Sequence, residues 1–206
     1  METIQQFINR NISTYQQHGN VSEETIAKYD KLFKGKFPQE IIWIWRNMGF
    51  GVFEDGYLQI VNPEEYAFAF DYVDKILEPT IIWGITALGD LLLWEGNKNW
   101  TISEDEGNRV KIINIRKCQS RALNSMQGTL DVFFDEYFIG HKDYFDSKAF
   151  LEIKGKMLKL EYGQCYGYVP ALSLGGKVSN NNLQIVDVKS YIEVIGQSVG
   201  KIIDLG

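Results

Sequence analysis

The stretch from Phe37 to Pro63, FPQEIIWIWRNMGFGVFEDGYLQIVNP, constrains the fold of this chain more than any other, because nearly every local signal in it agrees. Pro38 suits the first position of a helix, and Ile41, Ile42, Trp45 and Met48 recur at helical spacing. Gly49 can take the left-handed conformation that closes a helix. Phe50–Phe53 and Tyr57–Val61 are short apolar or aromatic runs on either side of Glu54, Asp55 and Gly56, a turn signal, and so predict a hairpin. Asn62 and Pro63 then start another helix as its cap and first residue.

Helical spacing also governs what flanks this stretch. Ile4, Phe7, Ile8, Ile12 and Tyr15 predict a first helix over Thr3–His18, closed near Gly19. Ser22 caps a second helix that carries Glu23 and Glu24 in its first turn and ends around Gly35. The helix opened by Pro63 continues through Tyr66, Phe70 and Val73 to about Leu77, before Glu78 and Pro79 break it. From Thr80 the texture changes to apolar runs of strand length, IIWGITA, DLLLWEG and RVKIINI, which predict an antiparallel sheet. The gap WTISEDEGN holds the densest acidic cluster, Glu104, Asp105 and Glu106, and reads most simply as a solvated hairpin tip.

Helical spacing returns over Thr129–Phe138 and over Phe145–Leu158, the latter interrupted at Gly155. An extended segment then runs into Pro170, Gly175 and Gly176 mark a turn, and Ser190–Ile203 reads as a terminal helix. The sum is an α+β chain, an antiparallel sheet with N-terminal and C-terminal helices packed on it. A shift in composition near residues 80 to 95 divides it into segments 1–95 and 96–206, expected to pack together as one compact unit.

Hydrophobic residues at 45%, aromatics at 14% and charged residues at 23% exclude a disordered chain. The start, METIQQFINRN, lacks the basic and apolar regions of a signal peptide, and no run approaches the roughly 18 apolar residues of a membrane span. Two distant cysteines, Cys118 and Cys165, fit a reducing compartment. The expected location is therefore cytoplasmic. The net charge of −6 lies mostly in residues 1 to 80, with 12 acids against 7 bases, whereas residues 81 to 206 hold 15 against 14. That balance disfavours nucleic acid as a partner and would attract a basic one, although acidic surfaces also occur without such a partner, and the lack of a long apolar run leaves no membrane partner expected.

Residues that could carry chemistry are few. His18 and His141 lack neighbours at metal-ligand spacing, and no catalytic set of nucleophile, base and orienter stands out. Cys165 can be read as a nucleophile, but a lone cysteine among aromatics is more often a small buried hydrophobe. Gly49-Phe50-Gly51 resembles a phosphate loop in composition, yet it lies between helix and strand, the reverse of the required order, and no GxxxxGK[ST] segment exists. Accordingly no enzyme activity, metal or cofactor is expected. Trp43 and Trp45 point in different directions on one helix, which assigns Trp45 to the core and Trp43 to a second interface. Trp83, Trp94 and Trp100 read as core.

FPQEIIWIWRNMGFGVFEDGYLQIVNPEEY resembles the GAD-like domain, whose members carry a similar order of FP, W, GFG, DG and NP. GQCYGYVPALSLGGKVSNNNLQIVDVKSYIEVIGQSVGKI resembles the YGFVPALALGG and terminal-helix pattern of its usual C-terminal companion. Together they look like the bacterial immunity proteins that partner type VI secretion DNase toxins, with a SUKH-like likeness at the level of fold. The resemblance implies a cytoplasmic antidote that binds and neutralises a cognate toxin, with no catalytic residue to carry over. The charge imbalance makes Glu54, Asp55, Tyr57, Glu64, Glu65, Glu104, Asp105 and Glu106 the expected contacts with a basic partner. A small-molecule-binding or regulatory module without catalysis is the alternative, and no oligomeric state is indicated.

Overall fold

The computed structural model describes residues 2–96, 109–123, 130–134 and 147–205. Its centre is an eight-stranded sheet in the order β1-β2-β3-β4-β5-β6-β7-β10. The strands are β1 (Gln16–Gly19), β2 (Phe50–Phe53), β3 (Leu58–Ile60), β4 (Thr80–Thr86), β5 (Leu91–Glu95), β6 (Arg109–Asn114), β7 (Gln119–Ala122) and β10 (Ile203–Asp204). Every neighbouring pair is antiparallel except β7 with β10, which is parallel. β8 (Gln164–Tyr168) and β9 (Leu183–Asp187) form a separate antiparallel ribbon.

The apolar runs IIWGIT and LLLW lack polar alternation because the sheet is covered on both faces. Side chains alternate along each strand. Ile81, Trp83, Leu92, Trp94, Val110 and Ile112 therefore pack against α1 (Glu2–Asn11), α2 (Glu23–Leu32), α3 (Gln39–Asn47) and α5 (Leu130–Phe133). Ile82, Ile85, Leu91, Leu93 and Ile113 face the other way, against α4 (Pro63–Tyr66) and α7 (Val188–Val199). Full burial of each such aliphatic side chain contributes about 1.5–3 kcal/mol.

Two buried ionic groups lie on the second face. Asp90, 1% exposed, accepts from Nη2 of Arg116 through both carboxylate oxygens, at 3.2 and 3.1 Å. Glu95, 0% exposed, accepts from Nε of Arg109 at 2.7 Å and from the backbone N–H of Leu77 at 3.1 Å. Lys111 completes that group, 3.9 Å from Glu95 and 3.4 Å from Asp204, and so ties β10 to the body of the sheet.

Several elements differ from their sequence expectation, each for a tertiary reason. The first helix ends at Asn11, a 3-10 turn spans Ile12–Thr14, and residues expected as its last turn form β1. Asn11 donates its side-chain amide back to the carbonyl of Phe7, while the Tyr15 hydroxyl donates to the carbonyl of Met48 at 2.8 Å. Pairing of Gln16 and Gln17 with Val52 and Gly51 then outweighs helical propensity. Pro38 caps α3 and leaves Gln39 as its first residue. The fourth helix is one α-turn followed by a 3-10 segment, Ala67–Tyr72, because Val73 bridges to Ile202 instead of continuing it. α6 (Ser147–Ile153) is shorter than the spacing predicts. α7 begins at Val188, capped by Asp187 accepting from the Ser190 N–H at 2.8 Å, and stops at Gly200 so that Ile203 and Asp204 can join β7. β7 and β9 have no counterpart in the expected layout, and β1–β3 and β10 extend the sheet beyond its expected middle segment.

Other local expectations match. Ser22 accepts from the Thr25 N–H as the cap of α2, and Asn62 from the Glu64 N–H as the cap of α4, with Pro63 at its first position. Trp45, Trp83 and Trp94 are buried, but Trp43, expected at a second interface, is half-buried against the same core as Trp45, because that core closes round α3 and buries Ile41, Ile42 and Ile44 together with Trp45. Gly49 closes α3 at φ +74, and a Cβ there would clash with the Gly19 carbonyl oxygen. At Gly51 a Cβ would stand 2.5 Å from the Tyr15 hydroxyl. The GFG motif is thus explained by the close passage of β1 across β2.

Candidate functional site

The hairpin between β2 and β3 places its tip against the C-terminal third of the chain. Glu54 and Asp55 both have left-handed backbone, φ 47 and 58, and Gly56 follows at φ 107. Non-glycine residues reach that region only when surrounding contacts hold them there. Those contacts are present: the Glu54 N–H donates to the Thr14 hydroxyl at 3.1 Å, and the Leu160 N–H donates to the Asp55 carbonyl at 3.3 Å. A Cβ at Gly56 would lie 2.5 Å from that of Leu160, so glycine alone permits the approach.

The acidic side chains of the tip are paired. Glu54 accepts from Nζ of Lys154 at 3.2 Å, and Nζ of Lys159 lies 2.6 Å from Oδ1 of Asp55. Further along, Glu64 pairs with Lys28, and Glu65 accepts from Lys189 at 2.7 Å. Three of these four lysines come from the C-terminal segment, so the acids expected to face a partner also fasten one half of the chain to the other. Each such exposed pair contributes little alone, about 0–1 kcal/mol.

Stronger fastening comes from buried polar groups that composition did not single out. Gln59, 0% exposed, donates to the Gln164 carbonyl at 2.5 Å and accepts from the Gly163 N–H at 2.8 Å. The Asn62 N–H donates to the hydroxyl of Tyr162, whose pKa burial pushes up to about 12. These partners lie a hundred or more residues apart, and no spacing pattern could have revealed them.

Beneath the tip is a cleft of about 280 Å3, its walls formed by Asp55, Phe150, Lys154, Met157, Lys159 and Tyr166. The Tyr166 hydroxyl donates to the Leu158 carbonyl at 2.8 Å, and burial, with the Asp55 charge as a second cause, raises its pKa. Lys154 stands over the Phe150 ring, 5.6 Å from its centroid. Tyr57, expected as a surface contact, is instead 6% exposed, with its ring centroid 5.1 Å from that of Phe150. Burying an aromatic ring against Phe150 is more favourable than presenting it to water, so Tyr57 supports the tip from inside. Glu104, Asp105, Glu106, His141 and Trp100 lie outside the described residues.

Cys165 is fully buried, and desolvation raises its thiol pKa, the opposite of what an activated nucleophile needs. In a native thiol titration Cys118 is expected to react and Cys165 to stay silent until denaturant is added; equal native rates would contradict this placement. Among the described residues no group of three metal-capable side chains gathers, and no helix is long and apolar enough to cross a membrane.

Residues 2–105 match the family model described as the GAD-like domain, and residues 126–198 match that of the T6SS immunity protein Tdi1, C-terminal. The tip therefore lies in the first match and the opposing cleft wall in the second. Among solved structures, the crystal structure of Atu4351 from Agrobacterium tumefaciens aligns with a TM-score of 0.66 at 23% identity, covering 90% of this chain and 86% of that chain. The likeness is one of fold. No curated protein matches the chain.

Proposed function

The chain belongs to the GAD-like domain family, and on that premise we propose that it is an immunity protein which binds a cognate bacterial toxin and blocks it by occupancy, without turnover. The observation that carries this reading is the second family match, to a type VI secretion immunity domain, on the same chain. The toxin is proposed to be a nuclease effector of that secretion system. A nuclease needs a basic face for phosphates, and an acidic surface can cover such a face by charge complementarity. Glu54, Asp55, Glu64 and Glu65, with Glu104, Asp105 and Glu106, are the proposed contacts, and the cytoplasm is the proposed site of action.

The paired state of the described acids refines how they would work. Glu54, Asp55, Glu64 and Glu65 already hold lysines, so a basic partner would exchange with those lysines, not meet bare carboxylates. Association by such exchange is sensitive to salt.

Co-expression with a candidate nuclease effector, sought first in the adjacent gene, tests the reading. Protection is expected to appear only when this protein reaches about one copy per toxin, and purified material is expected to form a stable 1:1 complex. Killing that continues in the presence of excess protein would refute the pairing, and protection at small substoichiometric amounts would favour catalysis over occupancy. Reversing the charge of Glu64 and Glu65 together is expected to slow association roughly tenfold at low salt.

A further inference from the structure

We propose that the cleft beneath the hairpin tip is an anchor pocket for one cationic side chain of the partner toxin, an arginine, and this rests on the immunity reading above. The sign of the occupant follows from which charge lies inside. The Asp55 side chain is 21% exposed, whereas that of Lys159, its ion-pair partner, is 67% exposed. Oδ1 of Asp55 is closed off from solvent, with the Lys159 ammonium 2.6 Å away as its charge partner. The carboxylate is thus inside, and the lysine that pairs with it can move into water at little cost.

The cleft already accommodates a cation. Lys154 sits between the Glu54 carboxylate at 3.2 Å and the Phe150 ring face at 5.6 Å, a carboxylate and an aromatic surface disposed about one positive charge. A guanidinium suits the same surroundings better than an ammonium, since its planar fork can donate to a carboxylate through two bonds and stack on a ring. An anionic occupant that moved inward past the exposed Lys159 would meet the Asp55 carboxylate. An apolar occupant would bury the charges of Asp55 and Lys159 without compensating either. Leu158, 79% exposed on the same wall, supplies apolar surface for the partner to cover around the charged contact. The left-handed backbone of Glu54 and Asp55 aims the carboxylates at this point and fits a pre-organised site.

The test uses the full chain and an inactive variant of the effector against which it protects in co-expression, with affinity measured by calorimetry. Asp55→Asn keeps the side chain's shape and tolerates the left-handed backbone while removing the charge, and is expected to weaken binding roughly 10- to 100-fold. Lys159→Met removes the internal competitor and is expected to tighten binding about 2- to 5-fold, the equivalent of one exposed ion pair. Lys31→Met, on an exposed lysine of α2, controls for net charge and is expected to leave affinity within a factor of about 1.5. Wild-type affinity in Asp55→Asn, or weaker binding in Lys159→Met than in Lys31→Met, would overturn this inference while leaving the immunity reading intact. Absence of binding by the wild-type chain would overturn both.

Discussion

Replacing Arg116 by methionine is expected to destabilise the protein by about 3–5 kcal/mol, the usual cost of removing one partner from a buried ion pair. Both side chains are 2% exposed, and the guanidinium reaches both oxygens of Asp90. The methionine fills much the same volume, so the loss would come from taking the guanidinium away from a buried carboxylate to which the Thr86 hydroxyl also donates. Asp90→Leu in the Arg116→Met background is expected to recover most of that loss, because an apolar pair of similar volume carries no desolvation penalty. Urea unfolding midpoints at constant slope measure both effects. A single-variant loss below about 1 kcal/mol would contradict the expected cost of breaking this pair.

Gly56→Ala is expected to cost about 2–4 kcal/mol, combining unfavourable backbone with overpacking against Leu160. Gly35, at φ 75 with no atom within 4 Å of its virtual Cβ, separates the two causes. Its alanine variant carries only the backbone penalty and is expected to lose about 1–2 kcal/mol. The difference between them measures how tightly the hairpin tip presses on the C-terminal segment. Equal losses would mean that the contact yields easily. Because Asp55 precedes Gly56 and forms one wall of the cleft, Gly56→Ala is also expected to reduce protection against the toxin more than Arg116→Met does at matched fraction folded.

Much of the framework was legible in the residues, and the limits have identifiable causes. The caps at Ser22 and Asn62, the closing glycine of α3 and the hairpin around Gly56 were all readable, because each depends on neighbours within a few positions. β4, β5 and β6 were readable as continuous apolar runs. β1 was not: Ile12 and Tyr15 continue the spacing of α1, and only the exposed edge of β2 decides that the chain turns into a strand. β10 is two residues long, and its pairing with β7 rests on α7 ending at Gly200. The candidate site divides in the same way. Its acids stood out in the sequence, but their lysine partners, the inward turn of Tyr57 and the clamp made by Gln59 did not.

By itself the sequence determined the helix caps at Ser22 and Asn62, the β2–β3 hairpin, the apolar runs of the central strands and the likeness to an immunity family, since all of these arise from residue type and short-range order. Only the tertiary structure decided that the tip carrying Glu54 and Asp55 meets Lys154, Lys159 and Leu160 and encloses a cleft with Phe150 and Tyr166. Such contacts join residues roughly a hundred positions apart. Their formation is set by which surfaces the packed sheet brings together, a property of the whole fold that no local pattern encodes.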